Sequence, residues 1–221
     1  MNLSLIHRAP HLLKPISSQL IWEIESDDKE IFLTFDDGPH PEITPWVLAE
    51  LKKHNAKATF FLVGDNALKY PEVVQQIIDE GHHIGNHTFN HVKGWSTSAY
   101  KYYKNTLKCE DHFQTTLFRP PYGRITKAQH ERLSRKYRII MWSVLSGDYD
   151  RLLNPTKIIK GVLENTVSGS VIVFHDSLKA EKNLKKSLPE VLTQLYAKGF
   201  KSNVIPYHLK NSTSVRGEGN I

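Results

Sequence analysis

The sequence predicts an α/β domain with a parallel sheet, because short β-rich runs alternate with amphipathic helical runs along most of the chain. Six helical patterns lie between seven strand-like runs. Seven strands and six helices fit either a distorted barrel or an open doubly wound sheet, and periodicity alone leaves both open. The predicted strands cover residues 31–35, 59–63, 83–85, 117–119, 138–142, 171–174 and 200–205.

Each predicted helix begins or ends at a recognisable residue. We expect Thr44 to cap the first helix, with Pro45 at its first position. Pro71 opens the second helix and Gly81 follows its end. The third and fourth helices are predicted over residues 96–115 and 126–137, the fifth begins at Asn154 and Pro155, and the sixth ends at Gly199.

The composition excludes several classes of protein. The single cysteine, Cys109, rules out an internal disulfide and a cysteine-rich zinc site, so any metal must be bound by histidine and carboxylate. No apolar run approaches the roughly 18 residues of a membrane-spanning helix. The net charge of +6 suits an anionic polymer. Scattered lysines without a known nucleic-acid-binding motif argue against a nucleic-acid partner.

We expect three segments: an N-terminal lead-in (residues 1–29) that packs on the fold, one domain (30–207), and a polar C-terminal tail (208–221). Charged residues and prolines interrupt the lead-in, which lacks the apolar stretch of about 7–15 residues found in a secretory signal. We therefore expect the lead-in to be retained, a cytoplasmic location by default, and a monomer.

Polar residues with catalytic chemistry follow the predicted strands. In parallel α/β folds the carboxyl ends of the strands converge on one rim, where active sites are built. The pattern therefore predicts a single site at that rim. Its candidate residues are Asp36, Asp37, His87, His91, Arg119, Asp148 and His175.

The adjacent carboxylates of Asp36 and Asp37 can divide two roles, since one can bind a metal while the other takes a proton from water. Asp-Asp-Gly-Pro is also ordinary turn chemistry. His87 and His91, four residues apart, would share one face of a helical turn, and neutral imidazoles suit zinc. A chance pair is common in a chain with 12 histidines. With one aspartate they would complete a facial set with open positions.

Two further motifs have both a catalytic and a structural interpretation. The prolines of the RPPYG segment stiffen the loop after Arg119, so that the backbone N–H groups of Tyr122 and Gly123 become fixed donors for an oxyanion. A rigid surface loop is the alternative. His175 ends a buried strand and is a candidate general acid, although a lone histidine at such a position is more often structural.

The segments TFDDGP, HTxxH about fifty residues later, RPPYG, Asp148 and FHD occur in this order. Together they resemble the NodB-type polysaccharide deacetylases of carbohydrate esterase family 4 over roughly residues 30–205. The resemblance implies a distorted (β/α) barrel with fewer than eight units and about seven parallel strands. It also implies one divalent metal ion, zinc or a cobalt-like ion, bound by Asp37, His87 and His91.

The resemblance assigns further roles. Asp36 matches the base and His175 the acid, while Arg119 matches an arginine that pairs with an acidic residue, here Asp148. We therefore expect a charge-assisted Arg119–Asp148 pair beside Asp36. The substrate and oxyanion side is expected to be lined by Pro121, Tyr122, Tyr149 and Val173.

Three positions depart from the family pattern. Tyr149 stands where tryptophan is common, Ser143 follows Trp142 where an aspartate is common, and Val173 replaces a leucine. These positions belong to the expected pocket wall for the acetyl group and the sugar. They bear on substrate size more than on catalysis.

The resemblance implies a hydrolase that removes N-acetyl groups from N-acetylglucosamine-containing glycans, such as peptidoglycan or chitin oligomers, and releases acetate. One alternative is an O-acetyl esterase acting on xylan-like glycans. The other is an inactive carbohydrate-binding protein, which a missing base, metal ligand or acid would indicate. None of these residues is missing here.

Overall fold

The structure, a computed structural model, describes residues 20–26 and 28–208. Most of the predicted lead-in (residues 1–19) and of the tail (209–221) therefore lies outside the described residues. The elements in order are β1 (Leu20–Ile21), β2 (Glu30–Asp36), α1 (Ile43–Lys53), β3 (Ala58–Leu62), α2 (Gly64–Lys69), α3 (Pro71–Asp79), β4 (His83–Asn86), α4 (Ala99–Leu107), β5 (Leu117–Phe118), α5 (Lys127–Leu133), β6 (Arg138–Ile140), β7 (Val144–Leu145), α6 (Pro155–Asn165), β8 (Val171–His175), α7 (Glu181–Ala197) and β9 (Lys201–Ser202).

The named strands all pair in parallel, in the order β1-β6-β5-β4-β3-β2-β8-β7, and β9 also pairs with β2. The chain passes from β6, near one end of this order, to β7 at the other end through residues 141–143 alone. Because so short a connection spans at most about 14 Å, the two ends of the sheet must lie close together. The sheet therefore curves into an incomplete barrel. The predicted distorted (β/α) barrel is confirmed, and the open-sheet alternative is wrong.

All seven predicted strands are present, although β9 covers only Lys201–Ser202 of the predicted 200–205. The two strands that the sequence did not reveal, β1 and β7, are two residues long. A two-residue strand is too short to show the alternation by which strands are recognised. Strand β1 lies in the expected lead-in and pairs with β6, so this described part of the lead-in joins the sheet.

Alternation along β2 positions the first catalytic candidate. Ile31, Leu33 and Phe35 pack with the apolar faces of the surrounding helices in the larger core cluster. Phe32 packs in a second cluster inside the barrel. Successive residues of a strand face opposite sides, so Thr34 and Asp36 lie on the same inward side as Phe32. The strand thereby places a buried carboxylate in the mouth of the barrel.

Most of the predicted helix signals are confirmed. Pro71 is the first residue of α3. The Asn154 side chain caps α6 by accepting the Lys157 N–H at 3.0 Å. Gly81 and Gly199 follow α3 and α7 with φ of 76° and 83°, a left-handed backbone that favours glycine after a helix.

Two helix predictions are wrong in detail, and one helix was missed. Thr44 is the second residue of α1, and its hydroxyl binds Asp176 and gives no cap. The long helix predicted over 96–115 is interrupted: α4 is followed by a separate 3-10 turn, Lys108–Asp111. Helix α2 was not predicted.

Within the described part of the chain, no helix has the length and apolarity that crossing a bilayer requires.

Strand β4 packs tightly in the barrel interior at Gly85, where an added methyl group would overlap the Phe61 ring. We expect Gly85→Ala to lower the free energy of unfolding by about 1–3 kcal/mol, because an overpacked core must shift. Urea unfolding measures this change. Adding Phe61→Leu should recover part of the loss, since it removes the ring that the methyl group meets. An unchanged unfolding midpoint for Gly85→Ala would show that this interior is not tightly packed.

Candidate active site

The three predicted metal ligands lie together at the carboxyl rim of the barrel. Asp37 follows β2, and His87 follows β4. Asp37 Oδ1 lies 3.1 Å from His91 Nε2 and 3.8 Å from His87 Nε2. One ligand atom from each residue falls within 4.8 Å of the others. A carboxylate oxygen and two imidazole nitrogens at this separation fit one divalent ion, and three protein ligands leave positions for water and substrate.

The tautomer of His87 suits metal binding. Its Nδ1 lies 2.8 Å from the carbonyl oxygen of Arg119. Because a carbonyl oxygen only accepts, Nδ1 must carry the proton, which leaves the Nε2 lone pair facing Asp37 and His91. Burial lowers the pKa of His87 to about 4, although the nearby Asp36 charge opposes this shift, so the ring is neutral at pH 7.

The histidine pair converges by a different route from the one that we predicted. Residues 87–91 form a loop, so the expected helical turn is wrong. Thr88 and His91 have φ of 64° and 52°, and the Thr88 N–H donates to Asn86 Oδ1 at 2.9 Å. Two left-handed residues therefore fold the loop back and bring the two imidazoles together, with ring centroids 5.0 Å apart.

Backbone strain is concentrated at this rim. Five described residues other than glycine have positive φ, and four of them are Asp37, Thr88, His91 and Tyr122. Such conformations cost of order 1–3 kcal/mol each and persist only where the surroundings hold them. At Asp37 part of that support comes from Asn66, whose Nδ2 donates to the Asp37 carbonyl oxygen at 2.8 Å.

Asp176 supports the same turn, although sequence reasoning gave it no role. Its Oδ1 accepts the Gly38 N–H at 3.1 Å and its Oδ2 accepts the Thr44 hydroxyl at 2.5 Å. Burial raises the pKa of Asp176 to about 7 against the effect of these hydrogen bonds. The available signal was its position in the FHD segment at the end of a rim strand. Asp176 fixes the turn that carries Asp37.

Arg119 is fully buried and reaches across the barrel mouth to Asp36. Its Nη1 donates to Asp36 Oδ1 at 2.7 Å and to Thr34 Oγ1 at 2.7 Å. The remaining donors reach backbone carbonyl oxygens, Nε that of Ile140 at 3.2 Å and Nη2 that of Met141 at 2.9 Å. The guanidinium therefore has polar partners on two separate segments, β2 and residues 140–141, and contacts the predicted base directly.

The predicted pair of Arg119 with Asp148 is wrong. Asp148 instead pairs with His175: its Oδ1 lies 2.8 Å from His175 Nδ1, and its Oδ2 accepts the His175 N–H at 2.8 Å. The reason is topological, because Asp148 follows β7, and β7 pairs with β8, which ends at His175. Asp36 lies inside the barrel mouth and takes the arginine.

Asp148 controls the charge of His175. Burial alone would lower the pKa of His175, but the charge and hydrogen bond of the Asp148 carboxylate, with smaller contributions from the charges of Asp37 and Asp36, raise it to about 9. The imidazole is therefore protonated at neutral pH. The Tyr149 ring meets it edge-on, with centroids 5.0 Å apart. This arrangement presents a proton donor at the rim.

The other predicted lining residues lie near the site, and their roles stay predictions. Pro121 opens the 3-10 turn Pro121–Gly123, and the Tyr122 ring lies 4.8 Å from the His91 ring. Val173 is buried on the same side of β8 as His175. Ser143, one of the departures, has a structural contact, since its hydroxyl accepts the Val171 N–H at 3.2 Å.

Residues 23–137 match the family model described as polysaccharide deacetylase. This chain belongs to the polysaccharide deacetylase family. It is 37% identical over 191 residues to a peptidoglycan-N-acetylglucosamine deacetylase of Bacillus cereus, which covers 83% of this chain and 69% of that relative. It is 33% identical over 205 residues to a chitooligosaccharide deacetylase of Azorhizobium caulinodans, covering 83% of this chain and 96% of that protein.

A solved structure agrees with this family assignment. The crystal structure of a peptidoglycan N-acetylglucosamine deacetylase superposes with a TM-score of 0.80 at 35% identity. The superposition covers 85% of this chain and 91% of that chain. The described part of this chain therefore has the same fold as that deacetylase.

The Asp148–His175 contact predicts a pH dependence. Wild-type activity should fall as pH rises through about 9, because His175 then loses its proton. Asp148→Asn removes the charge that raises the His175 pKa, so the alkaline limb of kcat/KM should move about 1–3 pH units lower. Acetate release by the metal-loaded enzyme across pH measures the limb.

Asp150→Asn is the matched control for this profile. Asp150 lies two residues further on, and its side chain accepts a hydrogen bond from the Leu152 N–H at 2.9 Å. Its substitution should leave the alkaline limb in place. An unmoved limb in Asp148→Asn would mean that His175 is not the group that titrates.

Proposed function

We propose that this member of the polysaccharide deacetylase family is a metal-dependent hydrolase that removes N-acetyl groups from N-acetylglucosamine units of a glycan and releases acetate. The observation that carries the proposal is the grouping at one rim of a metal-ligating triad, a separate carboxylate and a protonated histidine. Together they would supply an electrophile, a base and an acid, the three functions that metal-assisted amide hydrolysis uses. The names of the similar proteins, which act on peptidoglycan or chitooligosaccharides, support the same chemistry.

Asp37, His87 and His91 would hold the metal ion, and we expect zinc, with a cobalt-like ion as the alternative. A divalent cation there supplies an electrophile for the acetyl carbonyl group and makes a water molecule more acidic. The Nε2 atoms of both imidazoles lie within 3.8 Å of the same Asp37 oxygen, Oδ1. The His87 Nδ1–H bond to the Arg119 carbonyl oxygen fixes one ring.

Asp36 is the proposed base. Arg119 binds its Oδ1, so Oδ2 is the oxygen that we assign to take the proton from the attacking water. The guanidinium also holds Asp36 in place, since it is anchored at Thr34, Ile140 and Met141. Asp37, the residue after Asp36, is the proposed metal ligand. The two adjacent carboxylates therefore divide their functions by partner.

His175 is the proposed acid. An amine leaves poorly as an anion, so an amide needs a proton at nitrogen as its bond to the acetyl carbon breaks. Asp148 keeps His175 protonated at neutral pH and binds Nδ1, which assigns donation to Nε2. We assign the backbone N–H of Tyr122 to the oxyanion, with Pro121, Tyr149 and Val173 beside the acetyl group and the sugar.

These assignments favour an amide over an ester and an enzyme over an inactive binder. An alcohol leaving group depends less on protonation, so a buried aspartate dedicated to keeping the acid charged suits an amide substrate best. A non-catalytic carbohydrate-binding protein has no need of a base, a metal triad and an acid at one rim. We therefore retain N-deacetylation as the single proposed reaction.

His175→Ala tests the acid role. On an N-acetylglucosamine oligomer the rate should fall by about 10²–10⁴-fold, because the leaving amine is no longer protonated. On an activated acetate ester the same variant should lose much less, since that leaving group is already stable. Acetate release by the metal-loaded protein measures both substrates.

His54→Ala, at the end of α1, is the control and should leave both rates unchanged. If His175→Ala slows the amide and the ester equally, His175 positions the site and does not donate the proton.

A further inference from the structure

Two loops beside the triad present cationic and aromatic side chains that interlock. The loop after His91 contributes Lys93 and Trp95, and the loop after β5 contributes Tyr122 and Arg124. Lys93 Nζ lies 5.5 Å from the centroid of the Tyr122 ring, and Arg124 Cζ lies 4.7 Å from the Trp95 ring. Each loop thus supplies one cation and one ring to the other. We call these four residues the basic aromatic patch.

The rings of the patch are exposed. Trp95 is 67% exposed and Tyr122 is 53% exposed, although burying an aromatic side chain is favourable. Lys93 and Arg124 are exposed as well. Large aromatic rings kept at a surface beside two cations mark an interaction site more often than a defect of packing.

Hydrogen bonds from a buried side chain fix the backbones of the two loops that carry the patch. The buried Gln129 donates from Nε2 to the carbonyl oxygens of Gly94 and Thr97, both at 2.8 Å. Its Oε1 accepts the Thr126 N–H at 2.9 Å. At Gly94 a side chain would collide with the Arg124 carbonyl group, so the two loops are in close backbone contact. The patch is therefore preorganised, which reduces the entropy lost on binding.

The patch begins at the metal site. The Tyr122 ring lies 4.8 Å from the ring of His91, one of the proposed metal ligands. Trp95 lies two residues past Lys93 on the same loop and is in contact with Arg124, two residues past Tyr122. A glycan whose acetylated sugar sits at the triad would therefore bring a neighbouring sugar of the same strand over this patch.

We propose that the basic aromatic patch binds a carboxylate-bearing sugar next to the N-acetylglucosamine unit that is deacetylated. The rings would pack on the apolar face of the sugar, while Lys93 and Arg124 pair with its carboxylate. This inference rests on the proposed function and narrows its substrate to an acidic glycan. Rings alone would serve a neutral polymer, whereas two cations set against the rings match a negative charge.

A second contact supports the binding of an acidic glycan across the rim. Lys179 Nζ lies 5.1 Å from the Tyr149 ring, and that ring meets His175. The same combination of cation and ring therefore occurs beside the proposed acid, and again beside the His91 ligand. A cation–aromatic pair therefore lies beside each of two site residues, His91 and His175. A glycan that carries carboxylates on alternate sugars could contact both pairs.

The test compares two tetrasaccharides of equal length. One contains only N-acetylglucosamine, and in the other every second sugar carries a lactyl ether carboxylate. Their dissociation constants are measured for the zinc-loaded protein by stopped-flow tryptophan fluorescence before turnover, and kcat and KM follow from acetate release. The test variants are the double variant Lys93→Gln/Arg124→Gln and the single variant Trp95→Ala. For Trp95→Ala the quantity compared is KM. The matched control, Arg135→Gln/Lys201→Gln, removes two exposed cations from the opposite rim.

We expect the wild-type protein to bind the acidic tetramer more tightly. Lys93→Gln/Arg124→Gln should weaken the acidic tetramer about tenfold and the neutral one less than about twofold, with kcat nearly unchanged. Trp95→Ala should raise KM for both, because stacking does not depend on charge. The control double variant should change neither. These results together would establish the patch as a subsite for an acidic sugar.

Equal weakening of both tetramers by Lys93→Gln/Arg124→Gln would overturn the inference, as would a wild-type protein without preference for the acidic one. The proposed function fails separately, if neither tetramer releases acetate. Because binding is measured independently of turnover, a selective loss of acidic-tetramer binding would still establish the subsite in that case.

Discussion

The buried guanidinium of Arg119 is the interaction on which the site depends. A buried cation is costly unless its donors are paired, and each guanidinium nitrogen of Arg119 has a partner among Asp36, Thr34 and the carbonyl oxygens of Ile140 and Met141. Ile140 ends β6, and Met141 begins the short connection of residues 141–143 that closes the barrel. The closing segment therefore supplies one of the acceptors that hold the guanidinium. Stacking of the guanidinium 4.1 Å from the Phe61 ring completes its surroundings.

The same residue connects the base to the metal ligands. Its side chain holds Asp36, while its backbone carbonyl oxygen fixes the tautomer of His87. In the proposed reaction Arg119 and Asp148 therefore serve opposite halves: the arginine fixes the proposed base, and the aspartate raises the pKa of the proposed acid. The family resemblance had joined them as one pair. In the structure they belong to two separate pairs, Arg119 with Asp36 and Asp148 with His175.

The strand and helix periods predicted most of the barrel, and the motifs predicted which residues would meet. Strand ends converge on one rim in a parallel sheet, so residues as distant as Asp37 and His91 could be placed together from the sequence. The path of the chain between them could not be predicted, because the loop of residues 87–91 depends on positive φ at Thr88 and His91. No sequence rule assigns positive φ to those residue types. The support from Asp176 was also missed, since it arises from tertiary contact with Gly38 and Thr44.

The central claim is that Asp36 takes a proton at a site whose metal is held by other residues. The most direct measurement is acetate release from an N-acetylglucosamine oligomer by zinc-loaded Asp36→Asn, with zinc content determined on the same sample. Asparagine keeps an oxygen acceptor for Arg119, so the account predicts retained zinc with a rate lower by about 10²-fold or more. A wild-type rate with zinc bound would contradict it.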